Sequence, residues 1–139
     1  IGSGPYLEKV KNLAKKLELK VNFTGFVDEL RKREILSSAW VVINTSAKEG
    51  WGLVNMEAFA CGTPVVGFKV PGMRDSVKES YNGFLVEDRN VERMAEKVLE
   101  IIRDERLRNE LSKNARTFAE NFTWDRTAGE FKEVITKLL

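Results

Sequence analysis

The chain has 139 residues, of which 42% are hydrophobic, enough for one domain with its own core. Its 23 Lys and Arg residues nearly balance 21 Asp and Glu residues, and a net charge of +2 gives no strong field for nucleic acid. The absence of histidine and the single cysteine exclude Ser-His triads, histidine-ligated metals and internal disulfides. No apolar run approaches the roughly 20 residues of a membrane span. These properties favour a soluble, cytoplasmic α/β domain.

The first part of the chain alternates predicted helices with β-prone segments. Apolar residues recur at helical spacing over residues 5–17. Residues 21–25 are predicted to form a short strand that ends at a glycine. Asp28 is placed to cap a second helix. The run at 40–43 is almost continuously apolar and β-prone, which is typical of a parallel strand covered on both faces.

The second part of the chain continues the same alternation. A loop rich in small residues, 44–52, leads into a predicted helix that stops at Gly62. Residues 64–68 and 83–86 are predicted strands, and everything beyond residue 90 is predicted to be helical. The apolar stripes of those last helices are Val91, Met94, Ala95, Val98 and Ile102; then Leu107, Leu111, Ala115, Phe118 and Phe122; then Ala128, Phe131, Ile135 and Leu138.

Strands that alternate with helices, without hairpin turns, predict a parallel sheet with helices on both faces. We therefore predict one Rossmann-like domain over residues 1–139, with 124–138 as its C-terminal helix. In such sheets ligands bind beyond the carboxyl ends of the strands. The candidate loops are those after Gly25, Ile43 and Phe68, and the middle one is the most informative.

The loop after Ile43 enters its helix through Gly50 and Gly52, which allow a ligand to approach the backbone closely. A helix start offers unpaired N–H groups and a partial positive charge, so a phosphate is a suitable guest. Glu49 lies at this opening, and the Glu57 side chain, eight residues on, can lean back toward it. Two carboxylates repel a diphosphate but accept hydrogen bonds from the vicinal hydroxyls of a ribose and a hexose. The pattern predicts a nucleotide-sugar site, while simple turn chemistry for the glycines and a capping role for Glu49 stay open.

These residues belong to a longer pattern. Residues 49–64 read Glu-Gly-Trp-Gly-Leu-Val-Asn-Met-Glu-Ala-Phe-Ala-Cys-Gly-Thr-Pro, and further matching segments lie at 2–5, 21–25, 70–72, 82–86 and 122–124. In this order they resemble the E-x7-E signature and neighbouring motifs of GT-B fold, family 4-type (group 1) retaining glycosyltransferases. The resemblance implies the C-terminal, donor-binding half of such an enzyme. It implies transfer of a sugar from a nucleoside diphosphate sugar to an acceptor, with retention of configuration.

The resemblance also implies roles for individual residues. Glu49 would be the catalytic residue that contacts the hydroxyls of the donor sugar, and Glu57 would bind the ribose. The other donor-binding residues implied are Gly50, Trp51, Gly52, Leu53, Val27, Asp28 and Ser46. A structural turn role for Ser46 stays open, as does whether Trp51 lines the site or covers the helix start. Cys61 is expected to pack rather than react, because no histidine is present to activate it.

No resident cofactor and no metal are expected, because the carboxylates are placed for hydroxyls and the chain has no Asp-x-Asp sequence. Nucleic acid is not an expected partner. The chain departs from the family pattern at Trp40 and Thr45, where packing would be affected. It departs again at Asp75, where the family commonly has a glutamate, so a site role for Asp75 stays open. Arg74 is expected to be a solvated loop residue, with phosphate contact as the alternative.

The resemblance further implies that the chain is N-terminally incomplete. The family's Arg and Lys that neutralise the diphosphate, and its N-terminal acceptor domain, would precede Ile1. The chain alone is expected to be inactive and to act as a hexosyltransferase of carbohydrate biosynthesis only within the full-length protein. Absent strands would leave a gap between 21–25 and 40–43, so self-association through exposed sheet edges is expected. Peripheral membrane association of the full-length enzyme is a further expectation.

Two alternatives of different classes stay open at this point. The first is a non-transferring nucleotide-sugar-binding module, either isomerase-like or regulatory, which would use the same cleft. The second is a doubly wound interaction domain in which the glycines serve only as turns. A lack of nucleotide binding would identify the interaction domain. Nucleotide-sugar binding without sugar transfer by the full-length protein would identify the non-transferring module.

Overall fold

A computed structural model of the chain describes residues 1–138; Leu139, the last residue of the predicted domain, lies outside the described residues. The helices and strands in this part are α1 (Leu7–Lys16), α2 (Glu29–Ser38), β1 (Val42–Asn44), α3 (Leu53–Ala60), β2 (Val65–Phe68), α4 (Met73–Ser76), β3 (Gly83–Val86), α5 (Val91–Arg103), α6 (Glu105–Ala119) and α7 (Trp124–Leu138). The chain divides into two compact units, residues 1–35 and residues 36 onward, which are described separately. No helix among residues 1–138 has an apolar stretch long enough to cross a bilayer.

The first unit contains α1 and the beginning of α2. Ala14 is the buried residue of α1, whose other faces are rich in lysine. The Asp28 carboxylate accepts a hydrogen bond of 2.7 Å from the Arg31 amide, which confirms the predicted cap of α2. The predicted helix at residues 5–17 is likewise confirmed, although it begins at Leu7 rather than at Pro5.

The strand predicted at residues 21–25 is wrong, because this segment is irregular. The Gly25 carbonyl accepts a hydrogen bond of 2.7 Å from the Gly2 amide, but no ladder of such bonds follows within residues 1–138. A strand is stable only where a neighbouring backbone satisfies its N–H and C=O groups in a row. A β-prone composition is therefore insufficient to form a strand here.

The second unit is built on a three-stranded parallel sheet in the order β1-β2-β3. Val42 pairs with Val65, and Val65 pairs with Gly83, so β2 is central and all four of its residues are buried. The strands predicted at 64–68 and 83–86 are confirmed. The strand predicted at 40–43 begins two residues later and includes Asn44.

Helices α3 and α5 pack against the sheet, and α6 packs against both of them. The core residues that have no exposed surface are Ala58, Phe59, Val65, Val66, Met73, Ile101, Leu111 and Ala115. On α5 the predicted stripe is confirmed at Met94, which is buried, and at Val98, which is half-buried, but its last position is wrong, because Ile101 is buried and Ile102 is 38% exposed. The stripe predicted on α7 is also not buried, since all of the described α7 side chains are exposed. The parallel α/β fold is confirmed.

Gly83 allows β3 to approach β2, and this gives a test of the sheet register. An added Cβ at residue 83 would collide with the Val65 carbonyl oxygen. We expect Gly83→Ala to lower the free energy of unfolding by about 1–3 kcal/mol, the usual cost of overpacking. Gly129→Ala is the matched control, because a Cβ there meets nothing within 4 Å and alanine favours the α7 helix by about 1 kcal/mol. Equal urea midpoints for the two variants would contradict this register.

Candidate functional site

The loops that follow β1 and β2 meet at the carboxyl edge of the sheet. Because the two strands are parallel neighbours, the chain leaves both at the same edge. Gly72, in the second loop, has a φ of 81°, and an added Cβ there would collide with the Glu49 carbonyl and lie 2.6 Å from the Gly50 carbonyl oxygen. The structure therefore places Glu49 and Gly50 where the ends of two strands converge.

Helix α3 starts at this junction. Gly52 precedes it with a φ of 81°, and the Gly52 carbonyl accepts hydrogen bonds from the Asn55 and Met56 amides at 2.8 and 3.1 Å. The amides of Leu53 and Val54 make no hydrogen bond to any of residues 1–138. Both of these side chains are exposed, so the first turn of the helix is accessible. Such a helix start is suited to an anion.

The two predicted carboxylates lie on either side of the α3 start in the sequence, and both residues are half-buried. One carboxylate oxygen of Glu49 accepts a hydrogen bond of 3.1 Å from the amide of the next residue, Gly50. Glu57 lies four residues after the first residue of α3, so it is one helical turn inside the helix. Their assigned roles, catalytic for Glu49 and ribose-binding for Glu57, stay predictions.

A buried polar network holds the start of α3 in place. The Asn55 side chain, which has no exposed surface, accepts a hydrogen bond of 2.9 Å from the Asn44 side chain at the end of β1. Its Nδ2 donates to Ser76 Oγ at 3.0 Å and lies 3.1 Å from the sulfur of Met73. None of these residues was predicted as a site residue from the sequence. The available signal was an asparagine placed between the apolar residues Val54 and Met56 in α3.

The remaining predicted site residues fall into different surroundings. The Trp51 ring packs on Phe122, with ring centroids 5.4 Å apart, and its role in the site stays a prediction. The Ser46 backbone amide donates to the Asn44 side chain at 3.0 Å, while the role of the Ser46 side chain stays a prediction. Val27 and Asp28 belong to the first unit, and their proposed contact with the base stays a prediction.

The side chains considered as secondary candidates are exposed or locally paired. Arg74 donates to the Lys69 carbonyl at 3.2 Å, and Asp75 is exposed. Cys61 is half-buried and forms no disulfide. Within the described part of the chain, no three or more Cys, Asp and Glu side chains are grouped so as to hold a metal ion. That the protein works without a metal stays a prediction.

A parallel sheet with a glycine-led helix start and flanking glutamates at its carboxyl edge defines a Rossmann-like ligand-binding domain. Residues 1–118 match the family model described as glycosyl transferases group 1. This match covers most of the chain and includes all three strands and the whole α3 start. The chain therefore belongs to the group 1 glycosyltransferase family, and its fold is that of the C-terminal half of a GT-B enzyme.

Individual relatives agree with this assignment. An uncharacterized glycosyltransferase of Methanocaldococcus jannaschii is 30% identical over 139 residues, which is 99% of this chain and 40% of the relative. Sucrose-phosphate synthase of Thermosynechococcus elongatus superposes with a TM-score of 0.87 at 29% identity, over 99% of this chain and 37% of that one. Anabaena HepE in complex with UDP superposes with a TM-score of 0.86 at 25% identity, over 95% of this chain and 37% of that one. A structure of the same protein with UDP-glucose is also similar to this chain. The chain thus spans about two fifths of the length of these relatives.

The buried network predicts which asparagine the site depends on for its shape. Asn55→Ala would leave the Asn44 side-chain NH2 without its acceptor and would remove the donor to the Ser76 hydroxyl, which keeps its bonds to the Gly72 and Met73 carbonyls. We expect the free energy of unfolding to fall by about 1–3 kcal/mol, the usual cost of leaving buried polar groups unpaired. Asn109→Ala is the control, because Asn109 is exposed on α6 and makes no side-chain hydrogen bond within residues 1–138. Urea denaturation that gave equal losses for both variants would refute the network.

Proposed function

We propose that this chain is the donor-binding part of a hexosyltransferase that moves a sugar from a nucleoside diphosphate sugar to an acceptor with retention of configuration. The observation that carries the proposal is the accessible start of α3, with Glu49 before it and Glu57 one turn inside it, in a chain of the group 1 family. The complexes of HepE with UDP and UDP-glucose support a uridine diphosphate sugar as the first donor to test.

In this proposal the diphosphate lies against the α3 start. The free amides of Leu53 and Val54 and the partial positive charge of the helix would stabilise the negative charge that grows on the leaving diphosphate. Such donors act without reorganisation because the backbone around Gly52 is already fixed by Asn55. No metal is invoked, and further cations would come from residues outside this chain.

The two carboxylates would recognise hydroxyl groups. Glu57 would accept hydrogen bonds from the ribose, and Glu49 would accept them from the donor sugar beside the reacting carbon. Charge-assisted bonds of this kind are about twice as strong as neutral ones, so they orient the sugar firmly. Trp51 and Ser46 would shape the pocket around them.

For the whole protein we propose an N-terminal domain that binds the acceptor, because this chain spans about two fifths of its relatives. We further propose that the enzyme is cytoplasmic, serves carbohydrate biosynthesis and associates peripherally with membranes. The isolated chain would be inactive in transfer. Its β1 strand has a neighbour on one side only within the described sheet, so self-association through that edge is proposed for the isolated chain.

The function is tested by calorimetric titration of the full-length protein with a panel of nucleoside diphosphate sugars, followed by a transfer assay with the donor that binds. We expect saturable binding of one donor and release of its nucleoside diphosphate when an acceptor mixture is added. Binding without any transfer would favour a non-transferring module. A lack of binding to the whole panel would favour an interaction domain.

Glu57→Gln tests the ribose contact. We expect donor binding to weaken by roughly 1–3 kcal/mol, because the neutral amide replaces one charged acceptor. Glu110→Gln on α6 is the matched control, since that carboxylate is exposed and distant in sequence from the site. Calorimetry of both variants with the same donor is the measurement, and unchanged affinity in the Glu57 variant would remove this residue from the site.

Glu49→Ala tests the sugar-facing role. Because Glu49 is proposed to contact the sugar and not the nucleotide, turnover should fall by about tenfold or more, the value of roughly 1.4 kcal/mol of lost stabilisation. Binding of the bare nucleoside diphosphate should change by less than about twofold. The measurements are kcat and the dissociation constant of the nucleoside diphosphate for the variant and the wild type. If turnover and diphosphate affinity fell by the same factor, Glu49 would be assigned to the phosphate and not to the sugar.

A further inference from the structure

A row of four aromatic rings connects the buried core to the loop of the proposed donor site. Phe59, on α3, has no exposed surface and contacts the edge of Phe118 on α6, with centroids 5.9 Å apart and planes at 86°. Phe118 contacts Phe122 at 5.1 Å, and Phe122 contacts Trp51 at 5.4 Å. The row begins within α3 and ends on the residue just before Gly52, which precedes the same helix.

The Phe122 end of this row is firmly attached to α6. The Phe122 amide donates to the Ala119 carbonyl at 3.0 Å, so the residue continues the last turn of that helix. Arg116 on the same helix donates to the Ala60 carbonyl at 2.9 Å, which fixes α6 to the end of α3. Phe122 therefore projects from a rigid support, although its own ring is 49% exposed.

The loop that Phe122 contacts has few other restraints near Trp51. Its first part is held by the Ser46 amide on the Asn44 side chain. Its middle is held by the close approach of Gly72 to the Glu49 carbonyl. The Gly50 amide is bonded within the loop itself, to the Glu49 side chain. The ring contact with Phe122 joins Trp51 to a residue outside the loop, and the chain passes from Trp51 directly into Gly52, whose carbonyl accepts hydrogen bonds from the Asn55 and Met56 amides.

We propose that Phe122 is a positioning residue for the donor site, acting through Trp51 to hold the backbone of residues 49–52 in its binding conformation. This inference rests on the proposed function for its consequence, since that function assigns the start of α3, which directly follows residues 49–52, to the diphosphate. Phe122 acts on the donor only through Trp51. Loss of one contact between two aromatic rings would change the equilibrium constant between the binding conformation of the loop and its other conformations by about 3- to 10-fold.

The test uses full-length protein and UDP-glucose, with the dissociation constant measured by calorimetry. Phe122→Ala is expected to weaken binding by about 3- to 10-fold, and Phe122→Tyr, which retains the ring, is expected to restore wild-type affinity. Phe131→Ala is the matched control, because Phe131 is 67% exposed on α7 and makes no ring contact within residues 1–138. Trp51→Ala combined with Phe122→Ala should bind no more weakly than Trp51→Ala alone.

A second measurement needs no ligand and separates this inference from the proposed function. Hydrogen exchange of the Asn55 and Met56 amides, which donate to the Gly52 carbonyl at the end of this loop, should become about 3- to 10-fold faster in Phe122→Ala and remain unchanged in Phe131→Ala. Wild-type affinity and wild-type exchange in Phe122→Ala would overturn the positioning role. Altered exchange in a protein that binds no nucleoside diphosphate sugar would preserve the role of Phe122 in the loop and refute the proposed function instead.

Discussion

The geometry of the proposed site depends on one buried contact, the hydrogen bond between the side chains of Asn44 and Asn55. Asn44 ends β1 and Asn55 lies in the first turn of α3, so this bond fixes the helix start relative to the strand end. The further bond from Asn55 to Ser76 extends the same restraint to α4. A buried amide that lost these partners would cost about 1–3 kcal/mol, which is why the three segments keep one arrangement.

Glycines make this arrangement sterically feasible. At Gly52 an added Cβ would lie 2.5 Å from the Asn55 side chain, and at Gly72 it would collide with the Glu49 carbonyl. Both residues also have a φ of 81°, which side chains other than that of glycine rarely tolerate. The glycines thus allow the loops after β1 and β2 to pack against each other and against α3, and they leave the helix start open. The turn chemistry that the sequence left as an alternative is a precondition of the site and does not compete with it.

What could be predicted from the sequence depends on whether an interaction joins residues that are close together or far apart along the chain. The strands at 64–68 and 83–86 were predictable because buried parallel strands are apolar throughout. Residues 21–25 contain the β-prone Val21, Phe23 and Thr24 but have no row of backbone partners, and pairing is not encoded in a single segment. The helical spacing of the apolar residues in α7 predicted the helix, but it did not predict that their side chains are exposed. The site motif around Glu49 was readable because it is contiguous, whereas the Asn44, Asn55 and Ser76 network joins distant parts of the chain.

The Glu49 carboxylate and a bound phosphate would compete for the same region of positive potential. In the structure, Glu49 accepts a hydrogen bond from the Gly50 amide and lies before the positive end of α3. A carboxylate near a helix start gains about 0.3–1 kcal/mol, and an exposed local hydrogen bond contributes a similar amount. In the proposed function the diphosphate meets the Leu53 and Val54 amides, while Glu49 is bonded to the Gly50 amide. To accept sugar hydroxyls as proposed, Glu49 would exchange this local bond for bonds to the sugar, at small cost.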